Sequence, residues 1–382
     1  MKPESGGVCQ TIRNIIQASH KHAYVHHEVL CFDLSSDDYL GDDEFVVHAI
    51  GPAMSPYAYC KRLAPWLEKN MFRFEVVIVH GLWLYNNYGS FRVWNKYRKK
   101  KGVPKLFIMP HGMLAPYFQK AKERKWKAWR NEIVWRLIEN RSVNNVDALL
   151  FTCEEEMLQA RTTFKGYKPE REINIGNGIA HPPVYTAAMK TAFKQLCGHL
   201  NNRPYWLFMS RIHPVKGMAQ LVTAYKDLCG VYPDLPDLVI AGPTDTAYAE
   251  SIMSLVGNNE KVHFPGMLSG HSKWGALYGC KAFIQPSYHE NFGVAVVEAM
   301  ACKKPVMLTK QVNIWREIEQ GGGGIVITDN APVNIGDALV RMNAITETAY
   351  AVMSDNAYET FMRAFHITDT VNHFLTEIQK LV

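Results

Sequence analysis

Gln285-Pro286-Ser287-Tyr288-His289-Glu290-Asn291-Phe292-Gly293-Val294-Ala295-Val296-Val297-Glu298-Ala299-Met300-Ala301-Cys302 is the stretch on which the reading turns. Residues 282–285 are an apolar run of strand length, 286–293 read as a loop, and 294–301 read as a helix. The first N–H groups of such a helix have no intrahelical partner, and the helix dipole reinforces them, so the junction is an anion site. Gly293 lets a phosphate approach the backbone closely, and Val294 opens the helix. Glu298 lies just over one turn further on, where its carboxylate can face the same ligand. Carboxylates repel phosphate, so Glu290 and Glu298 suit sugar hydroxyls instead. The pattern predicts a nucleotide sugar, with its diphosphate at the helix end and its hydroxyls at the two glutamates. A strand–loop–helix with two exposed acids is the plainer alternative.

A second motif supports the ligand reading. Ser210-Arg211-Ile212-His213-Pro214-Val215-Lys216-Gly217 follows another apolar run at 206–210. Arg offers a planar fork to a phosphate and Lys a mobile point charge. Around these motifs, strands at 238–241, 261–264 and 305–308 alternate with helices at 218–229 and 273–279. Upstream the same alternation appears: helix 8–18, strands 28–34 and 45–50, helix 57–69, strand 74–79, strand 106–109, helix 122–140, strand 148–152 and helix 154–163. Strands alternating with helices imply an α/β fold with parallel sheets covered on both faces. The stretch 181–203 reads as a connection into a second unit, 357–382 as helical with a break near 366–368, and 321–324 as a flexible glycine loop. Ligands of such sheets bind at the carboxyl ends of the strands.

Composition narrows the class. At 382 residues, 47% apolar, 20% charged and 12% aromatic, the chain suits two globular domains. That excludes a disordered, collagen-like or coiled-coil protein. No apolar run reaches the roughly 18 residues of a membrane span, and the first seven residues hold no apolar segment of a secretory signal. The eight cysteines are scattered without a C-x-x-C pair, which argues for reduced thiols in a cytoplasmic protein rather than a zinc or redox site. The net charge of +6 is uneven: residues 1–182 carry 26 Lys+Arg against 19 Asp+Glu, and the remainder 16 against 17. The excess lies at 96–105 and at 120–130, the latter interleaved with Trp126 and Trp129 and followed by Trp135. On a helix, that mixture suits an anionic membrane surface. A nucleic-acid patch and a solvated basic face are the other readings.

The series strand–SRIHPVKG–helix, then VHFPG at 262–266, then HENFGVAVVEAMACKKPV at 289–306, resembles the retaining nucleotide-sugar glycosyltransferases of family 4. PHGML at 110–114 and Gly6-Gly7 resemble them too. The resemblance implies the GT-B arrangement of two facing Rossmann-like domains, with a C-terminal helix crossing back to the first. Residues 1–182 with 361–382 would serve the acceptor and 183–360 the donor. It further implies that Arg211 and Lys216 bind the diphosphate, and that Glu290 holds the transferred sugar with the backbone of Asn291, Phe292, Gly293 and Val294. Glu298 would take the ribose hydroxyls, and the backbone around Gly266 and Met267 the base. His111 would lie beside the transferred sugar, and Gly6 and Gly7 would form a tight loop near the phosphates. His80 and Trp83, in a similar strand-end motif, are placed toward the acceptor. The catalytic set is then His111, Arg211, Lys216 and Glu290.

The donor expected from the resemblance is a UDP-sugar, UDP-glucose first. The acceptor is a glycan or lipid-linked molecule of polysaccharide synthesis, met at the cytoplasmic face of the inner membrane; nucleic acid is not expected as a partner. There is no Asp-x-Asp, and the resemblance implies no cofactor, no metal and retention at the anomeric carbon. Because both glutamates have sugar-hydroxyl roles and neither is placed as a covalent nucleophile, we expect front-face transfer in which the leaving phosphate oxygen accepts the acceptor's proton. A nucleotide-sugar epimerase or hydrolase of the same fold, and a non-catalytic membrane-surface adaptor, are the competing readings. A domain of this kind normally has a strand before its Gly-Gly loop. Residues 1–5 are too short for one. A first sheet without its central strand would leave costly unpaired edges, so we expect instead a start roughly 10–15 residues upstream.

Overall fold

Runs such as Val-Val-Ile-Val at 76–79 and Ala-Leu-Leu-Phe at 148–151 show no polar alternation, which is what strands covered on both faces of a parallel sheet require. In the computed structural model, which describes residues 7–121 and 124–382, these runs are strands. The chain divides into two units. One runs to Gly178 and takes in Ile367–Val382, and the other is Ile179–His366.

The first unit opens with α1 (Gly7–Ser19), followed by β1 (Glu28–Cys31) and β2 (Val46–Ala49). After α2 (Leu63–Asn70) come β3 (Val76–His80), α3 (Tyr85–Tyr97) and β4 (Lys105–Met109). Then follow α4 (Tyr117–Lys120), α5 (Lys125–Val134), α6 (Asn140–Val143), β5 (Ala148–Phe151), α7 (Glu154–Thr163) and β6 (Glu172–Asn174). Strands β3 to β6 form one parallel sheet in that order, while β1 and β2 form a separate parallel pair. The sheet is therefore in two pieces, and among the described residues no strand joins β1 to β3. His80 pairs in register with Met109, so the chain leaves β3 and β4 at the same edge.

Two expected helices differ. The helix placed at 57–69 begins only at Leu63, because Met54 and Tyr59 close an antiparallel bridge first. Of the helix placed at 122–140, residues 122–123 lie outside the described residues. The rest is α5, then a π-helical turn at Trp135–Glu139, then α6. The π turn carries Trp135 into the core, where it stacks on Phe164 at 4.7 Å and 18°.

The second unit begins with α8 (Ala187–Leu196), inside the stretch read as a bare connection. Next come β7 (Tyr205–Met209), α9 (Met218–Cys229), β8 (Asp237–Ala241), α10 (Ala247–Val256), β9 (Val262–Gly266) and α11 (Gly270–Gly279). Then follow β10 (Ala282–Gln285), α12 (Val294–Ala301), β11 (Val306–Thr309), α13 (Trp315–Gly321), β12 (Gly324–Ile327), α14 (Pro332–Asn343) and α15 (Glu347–Thr360). The sheet order is β12-β11-β10-β7-β8-β9, all parallel. The chain builds outward from β7, returns to the centre, and builds outward again from β10. Loops after β7 and β10 therefore diverge, and the crevice between them is where doubly wound sheets bind ligands.

Residues 321–324 are not a flexible loop. Gly321 ends α13 and Gly324 starts β12. A Cβ would fall 1.9 Å from Thr360 Oγ1 at Gly321, 2.7 Å from Ala357 Cα at Gly323 and 2.0 Å from Val306 O at Gly324. These glycines let α15 and β11 close on the turn.

The last helix, α16 (Ile367–Gln379), belongs to the first unit. Its stripe Val371, Phe374, Leu375 and Ile378 is buried against Phe107, Met109 and Leu150. Ile15 and Ala18 of α1 join the same cluster.

Candidate active site

In the second unit, the loop after β7 ends in a single 3-10 turn, Pro214–Lys216, capped by His213 Nδ1, which accepts the Val215 N–H at 3.2 Å. Gly217 follows at φ +71°, and a Cβ there would stand 2.0 Å from the Pro286 carbonyl oxygen. Only glycine allows this left-handed turn to lie against the loop after β10. The two loops are tied by the Tyr288 N–H, which donates to Val215 O at 2.8 Å. Asn330 Nδ2 donates to Pro286 O, and Thr309 Oγ1 to Ser287 O at 2.7 Å. The result fixes Lys216, only 7% exposed, in an ion pair with Glu290.

The Glu290 backbone is itself clamped. Its N–H donates to Gln311 O at 3.0 Å and its carbonyl accepts the Asn313 N–H at 2.9 Å. Asn313 Nδ2 also donates to Asn291 Oδ1 at 3.2 Å. Phe292 is buried edge-on against Phe365. Gly293, at φ +76°, is the N-cap of α12, and the helix's first internal donors are Val296 and Val297. The N–H groups of Val294 and Ala295 thus point out of the helix start, as an anion site needs. His289 is held near pKa 4 by burial, so its imidazole is neutral.

Glu298, 8% exposed, pairs with Lys273 of α11 at 2.5 Å. Burial raises its pKa, and Lys273 opposes that rise. Gly266 closes β9 at φ +78° and accepts the Gly242 N–H at 2.9 Å, leaving Met267 67% exposed beyond it. Arg211 is exposed and makes no ion pair among the described residues. At one strand edge the structure thus brings Lys216 into direct contact with Glu290, on the loop that runs on through Asn291 and Phe292 to Gly293. Glu298 follows on the same helix, and Arg211, Gly266 and Met267 sit on neighbouring strand ends.

In the first unit, His80 ends β3 and His111 follows β4. His80 Nδ1 lies 2.9 Å from His111 Nε2, with the rings stacked at 5.2 Å. Burial holds His80 near pKa 4 and His111 well below its ordinary value. The pair is therefore neutral at pH 7, one ring donating to the other. His111 and Gly112 both have positive φ, and the Gly112 N–H donates to Glu156 at 2.5 Å. Glu156, 3% exposed, also takes the N–H and hydroxyl of Thr152, at 2.9 and 2.6 Å. Trp83 is likewise left-handed, at φ +70°, and its N–H donates to the buried Glu139 at 3.1 Å. Asn87 Nδ2 donates to the same carboxylate. Burial pushes the Glu139 pKa up to about 7.

Gly7, expected in a loop, is the first residue of α1, and a Cβ there would meet nothing within 4 Å. Gly6 lies outside the described residues. Sequence reasoning missed Lys273, Glu139, Glu156 and Asn313. Among the described residues no three His, Cys, Asp or Glu side chains are arranged to hold a metal ion, and no helix is long and apolar enough to cross a membrane.

Comparisons with known proteins follow this division. Residues 6–178 match the family described as "Glycosyl transferase 4-like domain", and residues 190–360 match "Glycosyl transferases group 1". A D-inositol 3-phosphate glycosyltransferase of Stackebrandtia nassauensis is 25% identical over 170 residues, 42% of this chain and 38% of that one. An alpha-maltose-1-phosphate synthase of Mycolicibacterium smegmatis is 27% identical over 234 residues, 58% of this chain and 59% of that one. The matches therefore span less than two thirds of these relatives' own length. Among solved structures, Anabaena HepE in complex with UDP and glucose superposes with a TM-score of 0.71 at 16% identity, over 100% of this chain and 98% of that one.

Proposed function

The chain belongs to the glycosyltransferases of the GT-B fold, a 4-like domain followed by a group 1 domain, and from that premise we propose that it transfers a hexose from a UDP-sugar, glucose first, to a glycan or lipid-linked acceptor with retention. The observation that carries this is the Lys216–Glu290 pair at the point where the loops after β7 and β10 diverge. A cation beside the α12 helix start suits a leaving diphosphate, and a clamped carboxylate suits sugar hydroxyls. Bound UDP and glucose in the Anabaena protein support the choice of donor.

Arg211, Lys216 and the N–H groups of Val294 and Ala295 stabilise the charge that grows on the diphosphate as the anomeric bond breaks. Such fixed donors are the largest single term in many enzymes. In this reading they supply the charge that a metal would otherwise bring. Glu290, with the backbone of Asn291, Phe292 and Gly293, orients the sugar. Glu298 binds the ribose, and the backbone at Gly266 and Met267 the base. His111, as a neutral imidazole, hydrogen-bonds a sugar hydroxyl. His80 and Trp83 serve the acceptor. The leaving phosphate oxygen takes the acceptor's proton on the front face. Trp126 and Trp129, 85% and 63% exposed among Lys125, Lys127 and Arg130, support work at an anionic membrane face on the cytoplasmic side.

A panel of nucleotide sugars scored by nucleotide release tests the donor. Release of UDP from UDP-glucose, with glucose carried onto an added acceptor, supports the proposal. An epimerised nucleotide sugar, or no preference among donors, overturns it.

A further inference from the structure

Lys273 occupies the first turn of α11, just past a capping box made by Ser269 and Ser272. A cation there opposes the helix dipole, which favours negative charge at that end. Its side chain is 26% exposed, and its Nζ lies 2.5 Å from Glu298 Oε1 and 4.7 Å from the ring of Trp274. Glu298 Oε2 accepts no hydrogen bond from the described residues. One carboxylate oxygen is thus held by a neighbouring helix and the other left open. Lys216–Glu290 repeats the motif eight residues earlier on the same loop–helix segment.

We propose that Lys273 is a positioning residue for donor binding, one that keeps Glu298 ionised and turns Oε2 toward a pair of vicinal hydroxyls. The inference rests on the reading that Glu298 binds the ribose of a nucleoside diphosphate. Vicinal hydroxyls need an acceptor, and an ionised carboxylate is acceptor-only while a protonated one also donates. Burial pushes Glu298 toward the protonated form, and Lys273 is the charge that opposes it. Among the described residues, the other titratable group coupled to Glu298 is the Cys302 thiol, at the C-cap of α12. Burial raises the Cys302 pKa to about 12, so it stays neutral and cannot replace the lysine. Without Lys273, Glu298 should titrate within the working pH range, and the ribose contact should weaken as pH falls.

The test is UDP affinity by calorimetry from pH 5.5 to 8.5 for the full chain and for Lys273→Met, Lys273→Arg, Glu298→Gln and the Lys273→Met/Glu298→Gln double variant. Wild-type affinity is expected to be flat with pH. Lys273→Met should bind about tenfold more weakly near pH 6, the scale of one lost charged hydrogen bond, and recover as pH rises. Lys273→Arg should restore the flat profile. In the Glu298→Gln background, the lysine substitution should add nothing, as expected for groups that act as a unit. Loss on Glu298→Gln with a wild-type profile for Lys273→Met sinks this inference and leaves the ribose reading standing. Failure of the wild-type chain to bind UDP sinks both. If Lys273→Met fails to fold, Lys273→Gln takes its place in the same series, and equal weakening at every pH would reduce Lys273 to a structural role.

Discussion

The carboxyl edge of the second unit's sheet holds its buried charges in pairs, whereas that of the first holds groups whose charge burial suppresses. Lys216–Glu290 and Lys273–Glu298 are ion pairs with one or both partners largely buried. His80–His111 is a stacked pair of neutral rings, and burial leaves Glu139 about half protonated at pH 7. A preformed ion pair lets a site hold full charge at little further desolvation cost until a charged ligand arrives. Neutral imidazoles and a strained turn offer donors and acceptors without repelling or attracting charge. The second unit's edge suits a polyanion with hydroxyls, and the first unit's suits uncharged hydroxyls.

The largest effect expected of this contrast is at Lys216. Lys216→Ala should lower turnover by about 10²–10³, the scale of one lost transition-state donor. Stability should change little, because Glu290 keeps its backbone clamp and its side chain is 23% exposed to water. Paired measurements of turnover and melting temperature check this. Turnover near wild type would show that the charges of the second unit are structural. A smaller effect belongs to Glu298→Gln, which should weaken UDP binding about tenfold while leaving turnover at saturating donor near wild type. An unchanged donor affinity removes the ribose role.

The first unit makes a prediction about pH instead. His80, with its pKa lowered from 6.5 to about 4, takes up its proton more readily when unfolded, so its contribution to stability is lost as pH falls from about 6.5 toward 4. Glu139, with its pKa raised from 4.5 to about 7, acts in the opposite sense: its contribution is present below about 4.5 and lost as pH rises toward 7. Each shift corresponds to roughly 3 kcal/mol. Between about pH 4.5 and 6.5 the two slopes largely cancel. Glu139→Gln should unmask the histidine, so that its melting temperature falls more steeply with acid than the wild type's. The amide oxygen keeps the Trp83 N–H contact, and once the Asn87 amide turns over the new NH2 donates to Asn87 Oδ1, an oxygen now buried without a partner. Parallel melting curves for both proteins would remove the burial argument.

The contrast also explains what the sequence could carry. The second unit's strands were legible because they are continuous apolar runs, and its loops because glycine and charge are bound to short local motifs. Gly217 announces a left-handed turn wherever it stands. Lys273 was not legible, since a lysine in a first helical turn reads as solvent-facing until Glu298 is seen beside it. Helix α8 was hidden because only Met189 and Phe193 are buried on it, amid lysines. Glu139 and Glu156 looked like ordinary helix acids. Their partners, Trp83, Asn87, Gly112 and Thr152, come from other elements. Buried acids whose partners come from elsewhere in the fold leave no local signature, whereas a glycine and a charge within one short loop motif do.

The smallest effect expected is none at all. If Arg211, Lys216 and the start of α12 neutralise the leaving diphosphate, EDTA should leave UDP release unchanged. On the proposed reading, Lys216 and the outward N–H groups at the start of α12 would supply the positive charge that a divalent cation otherwise brings to a diphosphate. Adding Mg²⁺ would then compete for the phosphate oxygens rather than complete the site, so its effect should be flat or mildly inhibitory. Release that vanishes in EDTA and returns with Mg²⁺ would break the contrast at its strongest point. It would mean that Glu290 neutralises Lys216 during turnover as well as at rest, leaving the diphosphate to find its charge elsewhere.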